Sequence, residues 1–291
     1  MTGRSWLFVP GDSPSKLSKI PGLGADVVVL DLEDAVAAER KAEARALVAA
    51  ALQNRAGSDP ALWVRINPLD SGLAEADLDA VVGAQPDGIV LPKADGVDDV
   101  RRLDSILSKV EADREPGSGH LRILAIATET ASGVANLAGY ADHPDRLWGL
   151  TWGAEDLADA LGAGANRDAQ GHLRFMYRMV RAQLRLAAAA AGLPAIDTLY
   201  PDFRDEAGLA ATAAAARGDG FAGMLAIHPA QVPIINEAFT PTEREVEHAE
   251  KIVAAFAAEP GTGVTALDGV MLDRPHLEQA RRVLRLARSD D

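Results

Sequence analysis

The sequence predicts a (β/α)8 TIM barrel followed by a C-terminal helical lid or arm, and three observations carry that prediction. Short apolar, β-branched runs recur eight times along the 291 residues. The stretches between them are helix-like, and polar residues gather directly after the runs.

The elements follow in order. Trp6-Leu7-Phe8-Val9 and Val27-Val28-Val29-Leu30 are almost continuously apolar, as strands covered on both faces are. A helix-like stretch rich in alanine, leucine and arginine runs from Ala35 to Leu52. Further strand runs are Leu62 to Ile66, Ile89 to Leu91, Ile123 to Ile126, and Leu147 to Trp152. A second strong helix spans Arg174 to Ala191 and is stopped by Gly192-Leu193-Pro194. Ala195 to Leu199 and Met224 to Ile227 complete the eight. An open doubly wound sheet is the alternative, but no Gly-x-Gly-x-x-Gly fingerprint follows the first strand. Gly162-Ala163-Gly164-Ala165 has neither a strand directly before it nor a phosphate-loop lysine after it, and reads as a turn. Beyond Pro229 come a helix near Pro241 to Ala258, a Gly261-Thr262-Gly263 turn, a short strand-like stretch and a last helix from Pro275 to Ala287. The barrel is therefore expected over 1–238 and the lid over 239–291. Such a tail is too small to hold a core alone, and is expected to pack on the barrel or on a neighbouring subunit.

Composition narrows the function. No apolar run approaches the roughly 20 residues of a membrane span, and the opening Met1-Thr2-Gly3-Arg4-Ser5-Trp6 lacks signal-peptide architecture, so a soluble cytoplasmic protein is expected. The chain has no cysteine, which removes disulfides, thiolate metal sites and cysteine nucleophiles. A net charge of −14 opposes general nucleic-acid binding. An enzyme, a small-ligand binder or an assembly subunit remains.

In a barrel the chemistry sits where strands end. The second strand runs into Asp31-Leu32-Glu33-Asp34, the third into Arg65-Ile66-Asn67-Pro68, and the fourth into Pro92-Lys93. Glu129, Glu155-Asp156, Asp202 and His228 follow the later strands. So many carboxylates at one mouth call for a cation among them, and oxygen-only ligands favour Mg²⁺ or Mn²⁺ over zinc. Each residue also has a plainer role open to it. Asp34 would serve as a helix N-cap, and Glu155 and Asp156 as acids matched to a helix dipole. Arg65 is a candidate for anion binding or for a buried ion pair. Lys93 reads as a Schiff-base nucleophile or as a solvated lysine, and His228 as a structural hydrogen bonder.

At these residues the chain resembles the citrate lyase β-subunit-like family of the HpcH/HpaI aldolase superfamily. The resemblance rests on Leu7-Phe8-Val9-Pro10-Gly11, Leu30 to Val36, Val64 to Pro68, Val90-Leu91-Pro92-Lys93, Glu129-Thr130-Ala131, Gly153 to Leu157, Tyr200 to Asp205, Ile227 to Gln231 and Leu267 to Asp273. It implies a TIM barrel with a C-terminal lid, assembled as a homotrimer or homohexamer in which one subunit's lid covers a neighbour's site. The implied reaction is reversible carbon–carbon cleavage of a 3-hydroxyacyl-CoA, such as citryl-, citramalyl- or malyl-CoA, to acetyl-CoA and an α-keto acid.

By the same resemblance, Glu129 and Asp156 are the Mg²⁺ ligands. Arg65 binds the keto-acid oxygens, with Gly153, Ala154, Glu155 and Glu129 lining the substrate. Asp273 of the lid is the acid/base group, and in some relatives the matching Asp serves thioester hydrolysis. Glu33 and Asp34 are supporting, water-holding carboxylates. Two positions depart from the family pattern: Ser13 and Ser132 stand where many relatives carry arginine. Arg4, Lys16 and Lys19, near the first strand, become the candidates for the coenzyme A phosphates. Malyl-CoA thioesterase or malate-synthase-like activity, and a non-catalytic subunit needing α-subunit or acyl-carrier partners, are the alternatives.

Overall fold

The computed structural model describes residues 3–57, 60–112, 121–258 and 262–287. Met1, Thr2 and Gly261, which figure in the expectations above, lie outside them. The chain divides into two compact units, with the break between Asn236 and Glu237.

The first unit is a barrel of eight parallel strands: β1 (Ser5–Pro10), β2 (Val27–Asp31), β3 (Ala61–Arg65), β4 (Gly88–Leu91), β5 (Arg122–Ile126), β6 (Leu147–Thr151), β7 (Ile196–Asp197) and β8 (Gly223–Ala226). Their order is β6-β5-β4-β3-β2-β1-β8-β7. The remaining seam, between β6 and β7, is closed by a bridge from Leu150 to Ala195, and there Leu150 N donates to Pro194 O at 3.1 Å. The main α-helices between the strands are α1 (Pro14–Leu17), α2 (Lys41–Gln53), α3 (Ala74–Val81), α4 (Val97–Ala112), α5 (Ala131–Ala135), α6 (Ala154–Ala160), α7 (Phe175–Ala190) and α8 (Glu206–Gly218). α9 (Gln231–Phe239) follows β8. The glycine-rich segment after α6 is a loop, with a turn at Leu161-Gly162.

Alternation along each strand explains the interior. Trp6, Val27, Val29, Trp63, Val90, Leu124, Ile126, Ile196 and Leu225 form one cluster, two residues apart where a strand gives two, as the two-residue pleat requires. Trp6, Trp63 and Trp148 fill the N-terminal end, with ring centroids 5.0 to 5.6 Å apart. The same parity carries β2 from Val27 and Val29 to Asp31, and β3 from Ala61 and Trp63 to Arg65. Asp31 and Arg65 are register partners across the two strands. The chain therefore places an acid and a base side by side above an apolar plug.

The second unit contains α10 (Glu243–Ala258), β9 (Val264–Leu267), β10 (Val270–Asp273) and α11 (Arg274–Ala287). Ala249, Ile252, Leu272 and Ala280 form its small core. Where one strand-like stretch is expected, there are two antiparallel strands. Asp268 and Gly269 join them with φ of 51° and 80°, the double positive-φ geometry of a type I′ hairpin turn.

Candidate active site

A cavity of about 640 Å³ opens at the C-terminal ends of the barrel strands. Its floor is apolar, with Leu7, Phe8, Ile126, Trp152 and Leu225, and one wall is acidic, with Asp31, Asp34, Glu129, Glu155 and Asp156. Arg65 lies on that wall too.

Asp31 organises the wall, and the sequence reading missed it. Its carboxylate is 1% exposed and accepts Arg65 Nε at 2.8 Å and Nη2 at 2.6 Å. It also accepts the main-chain N–H groups of Glu33 (2.9 Å) and Ala35 (3.2 Å), which fixes the turn that carries Glu33 and Asp34. Lys41 Nζ donates to the carbonyls of Leu32 and Glu33, 2.7 Å each, and Asn67 Nδ2 to that of Leu32 at 3.0 Å. The signal for Asp31 was available, since an acid on the inward parity of a buried strand needs a partner of opposite charge.

Of the two roles open to Arg65, the structure shows the buried ion pair. The Nη1 edge of Arg65 faces Glu33 Oε2 at 2.8 Å and Asp34 Oδ2 at 3.6 Å, with the guanidinium 4.9 Å from the Phe8 ring centroid. Asp34 is not a helix N-cap, a correction to its plainer reading. The short 3-10 turn that follows is capped by Ala37, and Asp34 is half exposed toward Arg65 and Lys93. Glu33 is buried behind the wall, where burial raises its carboxyl pKa against the opposing pull of Arg65 and Lys93.

Glu129, 3% exposed, is the most perturbed acid of the mouth. Burial first, then the charge of Asp156, push its pKa up to about 8. Its Oε2 accepts the main-chain N–H of Lys93 at 2.5 Å. The neighbouring Gly153 makes room for it, because a β-carbon there would stand 2.9 Å from Glu129 Cγ. Asp156 sits in the first turn of α6 with Glu155, whose Oε1 accepts Asn166 Nδ2 at 3.0 Å. Ala154, expected against the substrate, is buried at the start of that helix and is not on the cavity wall.

Lys93 is partly exposed, but its amine is not free. Its ammonium hydrogen-bonds Glu33 and lies 3.5 Å from Asp34 Oδ1 and 3.4 Å from Asp156 Oδ1. Although burial opposes it, the bond to Glu33 and the surrounding carboxylates hold its pKa above the ordinary lysine value. A Schiff-base nucleophile needs the opposite shift.

Trp152, on the cavity floor, is a second feature that sequence reasoning missed. Its Nε1 donates to the buried Asp197 at 2.7 Å, and Arg181 Nη2 holds that same carboxylate at 2.7 Å. His228 stacks on Phe203 at 4.5 Å between centroids and accepts Ala230 N through Nδ1 at 3.2 Å, the structural role expected of it.

The coenzyme A candidates separate. Lys16 and Lys19 line the cavity, exposed at its rim. Arg4 does not, which corrects the expectation. It precedes β1 at the opposite end of the barrel, and its guanidinium and main-chain N–H all bond Asp26, at 2.8 to 2.9 Å. Asp273 belongs to the C-terminal unit, at the end of β10, with Oδ1 2.5 Å from His276 Nδ1.

The donor set fits a hard divalent cation. Asp31, Glu33, Asp34, Glu129 and Asp156 face two cations, Arg65 and Lys93, and burial first, then this excess of negative charge, drives Glu129 toward its neutral form. Among the described residues no group of three or more His, Cys, Asp or Glu is placed to hold a metal ion by itself. Glu129 and Asp156 would supply two oxygens, with water and substrate completing the shell, as Mg²⁺ prefers.

A parallel barrel with a shaped cavity at its strand ends and an acidic wall suited to a divalent cation has the make-up of an enzyme that works with a metal. Residues 4–229 match the model of the family described as HpcH/HpaI aldolase/citrate lyase, and the chain belongs to that family. The mitochondrial citramalyl-CoA lyase of Rattus norvegicus is 35% identical over 98% of this chain and 86% of its own. Citrate lyase subunit beta of Escherichia coli K12 is 38% identical over 97% and 92%. Among solved structures, CitE of Mycobacterium tuberculosis in complex with magnesium, acetoacetate and coenzyme A superposes with a TM-score of 0.80 at 33% identity, covering 98% of both chains.

Proposed function

We propose that this chain cleaves, or in the other direction forms, a 3-hydroxyacyl-CoA such as citryl-, citramalyl- or malyl-CoA, yielding acetyl-CoA and oxaloacetate, pyruvate or glyoxylate. Membership of the family makes it a carbon–carbon lyase. The observation that carries the reading is the convergence of buried Glu129 with Asp156 and Arg65 on one cavity wall. Glu129 and Asp156 would hold Mg²⁺ or Mn²⁺, which would supply Lewis-acid polarisation of the substrate oxygens.

The chain's own residues do the rest. In cleavage the 3-hydroxyl gives up its proton as it becomes the keto oxygen. The electrons of the breaking carbon–carbon bond pass to the thioester as an enolate, which takes a proton at carbon. Arg65, its plane held by Asp31 and its Nη1 paired with Glu33, turns its positive charge on the cavity wall toward the keto-acid oxygens. The apolar floor with Trp152 excludes water from the enolate. Glu33 and Asp34 hold water or relay the hydroxyl proton. Asp273 protonates the enolate, supplied by the C-terminal unit of a neighbouring copy in a homotrimer or homohexamer. Lys16 and Lys19 at the rim face the coenzyme A phosphates. Function in the cytoplasm, without nucleic acid or membrane, completes the proposal; among the described residues no helix is long and apolar enough to cross a membrane.

Purified protein with Mg²⁺ and each CoA ester in turn, assayed for keto acid and for free thiol, tests it. Keto acid without free thiol, abolished in Glu129→Ala, is the expected result. Free thiol that disappears in Asp273→Ala marks hydrolysis of malyl-CoA instead. Activity only after adding an α-subunit or acyl carrier marks a partner-dependent subunit. Cleavage of none of the three esters, with metal binding unchanged in Glu129→Ala, overturns the reading.

A further inference from the structure

Lys93 follows β4 with φ +50°, a left-handed conformation in which an L side chain crowds its own backbone. That turn sends its two polar groups to different carboxylates. The main-chain N–H reaches Glu129 Oε2 at 2.5 Å, while the ammonium bonds Glu33 and approaches Asp34 and Asp156 at 3.5 and 3.4 Å. One residue thus touches four acids, among them both groups assigned to the metal.

We propose that Lys93 is a tethered cation that competes with the divalent ion at Asp156 and thereby sets the affinity of the site for metal. The inference rests on the metal site described above, and makes Lys93 a positioning residue. With no metal present, the ammonium offsets the repulsion between the acidic turn after β2 and the start of α6. A divalent ion held by Glu129 and Asp156 would repel the ammonium from Asp156, while Glu33 and Asp34 would keep it anchored. The metal therefore enters a site that is already folded, and is held loosely enough to exchange. The glutamate side of the site stays oriented when the ammonium moves, because the Lys93 main-chain N–H also bonds Glu129 Oε2.

Mn²⁺ binding to the full chain without substrate, followed by titration calorimetry and by electron paramagnetic resonance, tests this. Lys93→Gly removes the ammonium, suits the positive φ and keeps the N–H to Glu129. Lys93→Met removes the charge and keeps the bulk, and Lys93→Arg keeps the charge. The expected result is Mn²⁺ binding about tenfold tighter in the Gly and Met variants, with Arg restoring an affinity within about threefold of the unaltered protein. A residue that merely braced the loops would give weaker binding on removal. Unchanged or weaker binding in the Gly and Met variants overturns the proposal while leaving the metal site standing. Absence of Mn²⁺ binding in the unaltered protein overturns both. Without any variant, the Lys93 ¹⁵Nζ resonance is expected to shift as Mg²⁺ saturates the site, and a resonance that stays in place also overturns the proposal.

Discussion

Glu129 shows how a single residue couples burial to pH. Its carboxyl is raised from 4.5 to about 8, so in the folded protein it keeps a proton that the unfolded chain has already released. The associated stability is fully present below pH 4.5 and is lost as pH rises through about 8. In EDTA, the melting temperature is therefore expected to fall by several degrees between pH 5 and pH 8, and Glu129→Gln to flatten that slope. Calorimetry in matched buffers checks it. Mg²⁺ must displace the same proton, so its affinity is expected to climb from pH 6 to pH 8 with proton uptake by the buffer. Gly153 is constrained by the same carboxyl. Gly153→Ala is expected to push Glu129 aside and weaken Mg²⁺ binding, at a stability cost of about 1–3 kcal/mol. Calorimetric Mg²⁺ titration with a parallel denaturant melt separates the two effects. Glu129 was legible as a site residue because a lone acid after a buried strand is costly unless used. Asp31 was not singled out, although the alternation Val27, Val29, Asp31 places it inward.

Secondary-structure elements set these residues by their ends. Asp205 caps α8, accepting Gly208 N at 2.9 Å, and takes the Tyr200 hydroxyl at 2.6 Å. Asp205→Ala is expected to lower barrel stability, read as a fall in the urea midpoint. The run from Tyr200 to Asp205 is thus explained by a helix start as well as by resemblance. In the C-terminal unit, Asp268-Gly269 holds β9 against β10 through two positive-φ residues. Gly269→Val places a β-branched side chain at φ +80°, and hydrogen exchange of Thr265 and Leu272 is expected to accelerate. An Asp-Gly pair between two apolar runs is a readable hairpin signal. The stretch nonetheless reads as one strand, because residue type alone does not say where a short run folds back.

At the scale of the whole molecule, the chain is two compact units, and every group assigned to the metal lies in the first. Adding Mg²⁺ without substrate is expected to slow hydrogen exchange around Glu33, Lys93, Glu129 and Asp156 and to leave 264–287 unchanged. Mass-spectrometric exchange on the full chain measures both. The net charge of −14 is also unevenly spread, since part of it is concentrated at the mouth, where Arg65 and Lys93 offset it only in part. The sequence by itself determined the number and order of the barrel strands, the helices between strands and the acids at the strand ends. These follow from residue type and from periods of two and 3.6, which are local properties of the chain. Only the tertiary structure decided that Asp31 would take Arg65, that Lys93 would turn its ammonium into the acids, and that Arg4 would lie at the far end on Asp26. Those outcomes depend on the register between strands distant in sequence, and on how much water each charge loses, and neither is written in any one segment.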